Sequence, residues 1–169
     1  MKKYLSTFVC GFGAGVLQIV PIAKTFSCCF ILPLAAFLSL VLDQRASKSL
    51  ERITMRKALI FGLLTGLYAA LFGSLFDIVI TLITKHNDIV AMFPELQKMV
   101  TSFPVDSETK RQVIKWFGNI RNDILQYGFS PFYTFSIIVN NVIVNSIFGI
   151  VGGLIGAQII NRRNQNPVQ

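Results

Sequence analysis

The stretch SLFDIVITLI, residues 74–83, places the carboxylate of Asp77 inside one of the most apolar runs of the chain. An acid in hydrocarbon is costly, and such residues either bond to polar partners or handle protons and ions. Asn140, Asn141 and Asn145 stand within a second apolar run, and Lys24 lies between two others. A carboxylate with amide neighbours can hold a proton or a cation, or it can be a hydrogen-bonded packing group. The apolar runs contain no second acid and no histidine to continue a relay, which favours the packing role. Cys28 and Cys29 suggest a redox pair or a soft-metal site. Adjacent helical residues point about 100° apart, so the two thiols cannot face one metal without distortion, and small buried hydrophobes are the favoured reading. Cys10 is too distant to complete such a site, and His86 sits beside Lys85 at the edge of an apolar run. GFGAG looks like a dinucleotide loop but lacks a preceding strand. The residues therefore point away from an enzyme, and no cofactor or metal is called for.

The elements that position these residues follow from composition. Hydrophobic residues make up 53% of the chain and charged residues 14%, with mean hydropathy +0.59. A soluble domain averages about 25% charged. A membrane span needs about 20 apolar residues. Four runs qualify or come close: 5–22, 26–42, 58–84 and 132–160. They predict a single all-α membrane domain, a bundle of four transmembrane helices. The first two runs form a tight hairpin with Lys24 at its tip, and Pro21 and Pro33 are expected to kink or end helical turns. The start could pass for a signal peptide, but no small-x-small cleavage site follows, so a retained first span is expected.

Charge sets the orientation. The net charge is +8, yet the basic residues flank apolar runs rather than forming an aromatic-interleaved patch, so a membrane fits better than nucleic acid. Lys2 and Lys3 precede the first run, Arg45, Lys48, Arg52, Arg56 and Lys57 separate the second from the third, and Arg162 and Arg163 follow the fourth. All three segments share one side in a four-span topology, which puts both termini in the cytoplasm.

The segment between the third and fourth runs, about 87–128, is expected to be an extracytoplasmic helical hairpin. Ile89, Phe93, Leu96, Val100 and Phe103 make one helical stripe, and Val113, Phe117, Ile120, Ile124 and Tyr127 make a second. Pro94 is expected to break or restart the first helix. Asp106 or Ser107 suits the N-cap of the second, and Gly128 suits its stop. The stripes could cap the spans or dock a partner. An interfacial position anchored by Trp116 and the nearby tyrosines is favoured.

Small residues mark helix contacts. Gly62, Gly66, Ala70, Gly73 and Asp77 share a face of the third run, and Asn141, Asn145, Gly149, Gly152 and Gly156 share one of the fourth, with Asn140 and Gly153 adjoining. Gly11, Gly15 and Gln18 add a seam on the first run. Asp77 and Asn141 lie roughly 10 Å and 13 Å from the same end of their helices at the helical rise. A polar cluster of Asp77, Asn140, Asn141, Asn145 and Lys24 is the expectation.

VPIAKTFSCCFILPLAAFLSL, the basic loop after it, and SIFGIVGGLIGAQIINRR at the end carry a resemblance. The chain resembles small uncharacterised bacterial four-span membrane proteins with paired cysteines opening the second span and a Gly-Gly-containing last span. The resemblance covers the spans and not the hairpin. It implies a bacterial inner-membrane location and no particular activity. The favoured function is a non-enzymatic accessory or scaffold subunit of a larger membrane complex, or a homo-oligomer, with the lipid bilayer as its first partner and no nucleic acid. The alternative is a small transporter or channel using Asp77 with Asn141 and Asn145 for a proton or cation.

Overall fold

A computed structural model describes residues 4–48 and 51–165. Among the described residues every regular element is helical. The order is α1 (Leu5–Leu17), α2 (Pro21–Phe26), a π-helical turn (Ser27–Ile31), α3 (Leu32–Ser47), α4 (Met55–Thr84), α5 (Asp88–Ser102), α6 (Ser107–Tyr127) and α7 (Pro131–Gln165). Three stretches are long and apolar enough to cross a membrane: Cys29–Ser47, Met55–Thr84 and Pro131–Asn164. The chain forms two compact units, one from Met1–Phe76 with Ile138–Gln169 and the other from Asp77–Ile137.

The first apolar run is not one helix across 5–22. Helix α1 ends after 13 residues, roughly 20 Å at the helical rise and short of a hydrocarbon core of about 30 Å. The cause is Pro21. Its ring disfavours helical geometry at the preceding residue, and Val20 is extended at φ −73°, ψ 122°. Pro21 then opens α2, where a missing N–H costs nothing. The expected loop around Lys24 is therefore helical, and the break falls at residues 18–20. Lys2 and Lys3 lie outside the described residues. The π turn has a similar origin. Pro33 would crowd the carbonyl four residues back, and just before it the bonding widens, with the Leu32 N–H donating to the Ser27 carbonyl five residues back.

In the first unit, α7 lies between α3 and α4 with a different glycine row toward each. A methyl group on Gly149 would come 2.4 Å from the Gly62 carbonyl oxygen, and one on Gly153 2.5 Å from that of Ala58. The other row meets α3: a methyl on Gly152 would lie 2.2 Å from Pro33 Cα, and one on Gly156 2.9 Å from the Phe37 ring. Residue numbers rise together along α3 and α7 and oppose each other along α4 and α7, so α7 runs parallel to α3 and antiparallel to α4. Helix α1 runs parallel to α4, with Gly11 against Thr65 and Tyr68 and Gly15 against Ala69 and Phe72.

The core is apolar, with Leu32, Leu40, Ile53 and Phe61 among its buried residues, but polar side chains are buried beside them and long apolar rows stay exposed. Thr7, Ser39, Thr65, Ser74 and Asn145 are buried, while Leu59, Leu63, Leu67, Leu71 and Leu75 form an exposed ridge on α4. Ile143, Ile147, Val151, Ile155 and Ile159 form another on α7. The buried hydroxyls of Ser39 and Thr65 donate to carbonyls of their own helices, at Ala36 and Phe61. That is the usual way to satisfy a hydroxyl where water is absent.

In the second unit, α5 and α6 pack as a helical hairpin. Ile89, Phe93, Leu96 and Val100 are the less exposed residues of α5, and Ile120 and Ile124 are buried on α6. Phe103 and Tyr127, at the outer ends of the two stripes, are exposed. Asp106 caps α6 by accepting from the Thr109 N–H, and Gly128 ends it at φ +72°. A side chain at Gly128 would strike the Leu82 carbonyl, so left-handed geometry and close approach both require glycine there. Pro94 does not break α5 but lies inside it. It is exposed, so the carbonyl that loses its partner can remain solvated.

Gly149→Val and Gly152→Val are each expected to destabilise the bundle by about 1–3 kcal/mol or more through overpacking. At Gly13 an added methyl group would meet nothing within 4 Å, so Gly13→Ala is expected to be neutral or stabilising. Thermal unfolding in mild detergent reads both; equal melting temperatures for Gly149→Val and wild type would remove the seam from the account.

Candidate functional site

Thr65, Ser74 and Thr81 of α4 and Asn145 of α7 are buried polar side chains. On α4 the sequence Gly73, Ser74, Asp77, Thr81 keeps one face small or polar for two turns. In the second unit, Ser130 and Pro131 begin α7 and bring Tyr133 onto Asp77. The Tyr133 hydroxyl donates to Asp77 Oδ2 at 3.2 Å. Ser130, 1% exposed, donates to Asp123 Oδ2 at 3.4 Å, and the Lys85 ammonium donates to the Gln126 carbonyl at 3.0 Å. These bonds tie the ends of α4, α6 and α7 together.

In the first unit the amides find other partners. Asn141 Nδ2 donates to Ser74 Oγ at 2.9 Å. Asn145, 3% exposed, donates to Gln18 Oε1 at 3.3 Å. The Gln18 carboxamide lies against Gly73, where any side chain would displace it. Glycine at 73 therefore makes room for an amide reaching across from the end of α1. Asn140 is exposed, and Lys24 is exposed in the last turn of α2. Asp77 bonds with Tyr133 in the second unit, and Asn141 bonds with Ser74 and Asn145 with Gln18 in the first.

Asn161 carries a pair of bonds that its type and position did not announce. Its Oδ1 accepts from the Ile53 N–H at 2.8 Å and its Nδ2 donates to the Ile53 carbonyl at 3.0 Å. One amide thereby satisfies both polar groups of a linker residue and fixes the linker to the last turns of α7. Beside it, Lys57 pairs with Asp43 and lies over the Phe61 ring. Nothing in residue spacing links positions 53 and 161; only the fold does.

The remaining chemistry is sparse. Cys10 and Cys29 are free thiols, Cys10 half-buried and Cys29 exposed, and the Cys28 side chain lies outside the described residues. His86 is exposed. Among the described residues no group of three or more His, Cys, Asp or Glu converges as a metal site. No family model matches the chain, and neither a curated protein nor a solved structure matches it.

Outside the apolar helices, Asp106 titrates with a structural consequence. The Thr109 backbone N–H and then its hydroxyl, both at 2.7 Å, hold the carboxyl below its ordinary value. A depressed folded-state value stabilises the hairpin above the unfolded carboxylate pKa of about 3.9. That contribution fades as pH falls through the folded value. The protection of the Thr109 amide relative to its intrinsic exchange rate is expected to fall on acidification below about pH 4, and Asp106→Ser, a cap without a titrating group, is expected to abolish that step.

Asp77→Leu is expected to destabilise the protein by about 1–3 kcal/mol, because the Tyr133 hydroxyl loses its acceptor. Asp77→Asn preserves an acceptor and should cost less. A double-mutant cycle of Asp77→Leu with Tyr133→Phe, each of which removes the bond, should give a coupling of about 0.6 kcal/mol, typical of hydrogen bonds between membrane helices. Additivity within error would mean the bond contributes nothing.

Proposed function

We propose that the chain is a non-enzymatic, multi-pass protein of the bacterial inner membrane, acting as an accessory or scaffold subunit of a larger complex or as a homo-oligomer. The observation that carries this reading is the pair of exposed ridges on α4 and α7. Leu59, Leu63, Leu67, Leu71 and Leu75, and Ile143, Ile147, Val151, Ile155 and Ile159, recur every four residues with the polar groups turned away from them. Such rows suit lipid or the grooves of another apolar helix. The basic residues flanking α3, α4 and α7 support cytoplasmic termini, and with them an extracytoplasmic position for the α5–α6 hairpin. That topology takes α1 together with α2 as one crossing, since α1 alone is too short.

The accessory role is better supported than transport. Transport of a proton or cation calls for Asp77, Asn141 and Asn145 to act on one species. Each of the three already has a hydrogen-bond partner within the protein, Asp77 in Tyr133, Asn141 in Ser74 and Asn145 in Gln18, which supports a packing role. Photo-crosslinking residues placed at Leu67 and Ile147 are expected to capture one discrete protein partner, a second copy included, in native membranes. Lipid adducts alone, together with proteoliposome cation or proton flux that disappears in Asp77→Asn, would establish the transport alternative instead.

A further inference from the structure

The ends of α3 and α7 enclose a groove that neither packing nor orientation explains. Its volume is about 390 Å³, within the range of about 300–1,000 Å³ typical of ligand pockets. The inner wall is apolar, from Phe37 and Val41 of α3 and from Ile159 and Ile160 of α7. The polar lining comes from Gln44, Arg45 and Lys48 at one helix end and Arg163 and Asn164 at the other, and its only charges are the three cations. Lys48 reaches that lining because α3 ends there in a left-handed turn, φ +50°, with its N–H returned to Arg45 and Gln44.

Basic residues at helix C-termini also complement the helix dipole. That role requires no convergence, since each side chain can serve its own helix end. Here three cations from two helices line one opening. Among the described residues none of the three pairs with a carboxylate, whereas nearby Lys57 does, with Asp43. Two guanidinium forks and an ammonium form a site for a multidentate oxyanion, and phosphate matches the fork geometry. The apolar wall directly beneath them, with Ile159 still half open, suits a hydrocarbon chain attached to that oxyanion. A free anion would leave this wall unused.

We propose that this groove binds an anionic phospholipid, its phosphate held by Arg45, Lys48 and Arg163 and one acyl chain lying along Phe37, Val41 and Ile159. Basic pockets between membrane helices are suited to such headgroups. The site rests on the bilayer reading given above, and it ties lipid charge to the α3–α7 contact at Gly152 and Gly156.

The full-length protein in a mild non-ionic detergent, titrated with phosphatidylglycerol or with phosphatidylcholine and followed by native mass spectrometry and thermal unfolding, tests the proposal. Wild type is expected to retain phosphatidylglycerol and to melt several degrees higher with it, with phosphatidylcholine giving neither effect. Replacing Arg45, Lys48 and Arg163 together by Gln is expected to weaken binding about tenfold or more, roughly what loss of several membrane-surface charges predicts. Replacing Arg52, Arg56 and Arg162 by Gln removes equal charge from outside the groove and should leave binding intact. Ile159→Trp keeps every cation but fills the acyl path, and should weaken binding as well. Equal loss in both triple variants, equal binding of the two lipids, or full competition by inorganic phosphate would each overturn the proposal. Those failures would leave the bilayer reading standing. That reading fails separately, if the untreated chain does not sediment with membranes.

Discussion

At Gly62 and Gly149 two helix backbones approach so closely that a single methyl group has no room between them. In the bilayer proposed above, lipid would offer no hydrophobic drive for helices to associate, and contact would come from dispersion at short range and from polar bonds. The same constraint recurs along α7, where Gly149 and Gly153 meet α4 while Gly152 and Gly156 meet α3. Two interleaved glycine pairs thus give one helix two flat faces. Once those faces are in place, Asn145 can reach Gln18, and Asn141 can reach Ser74, because the helix axes are near enough for short side chains to bridge.

The buried hydroxyls and the exposed apolar rows both fit the bilayer proposed above. A buried serine or threonine is tolerable because it returns its proton to its own helix, and an exposed leucine costs nothing against hydrocarbon. Toward the helix ends and in the second unit, the devices change. Asn161 clamps the linker at Ile53, Lys57 pairs with Asp43, and caps such as Asp106 and Gly128 take over helix termination. The groove between the ends of α3 and α7 has an apolar wall and three cations in its polar lining.

The irregular start of the chain has a local cause with wider effect. Pro21 ends α1 early, and Pro33 is preceded by a π turn. Pro33 also supplies the backbone against which Gly152 rests. The atoms that Gly152 meets are backbone atoms of Pro33, and the missing side chain of the glycine allows the approach. Pro33 thus stands at both the widened turn and the tight contact.

Features set by local periodicity were readable from the sequence: the all-helical character, the apolar runs, the inward stripe of Ile89, Phe93, Leu96 and Val100, and the caps at Asp106 and Gly128. These depend on residues within one or two turns of each other, so order along the chain is enough. Periodicity also placed Asp77 on the face of Gly66 and Gly73, but it did not name Tyr133, because the partner comes from another helix 56 positions away. The early end of α1, the continuity of α5 through Pro94, the Asn161 clamp 108 positions from Ile53, and the meeting of Arg45 with Arg163 were settled only in three dimensions. A helix fixes which side chains share a face; which neighbour that face meets, and at what register, depends on how closely whole backbones can pack.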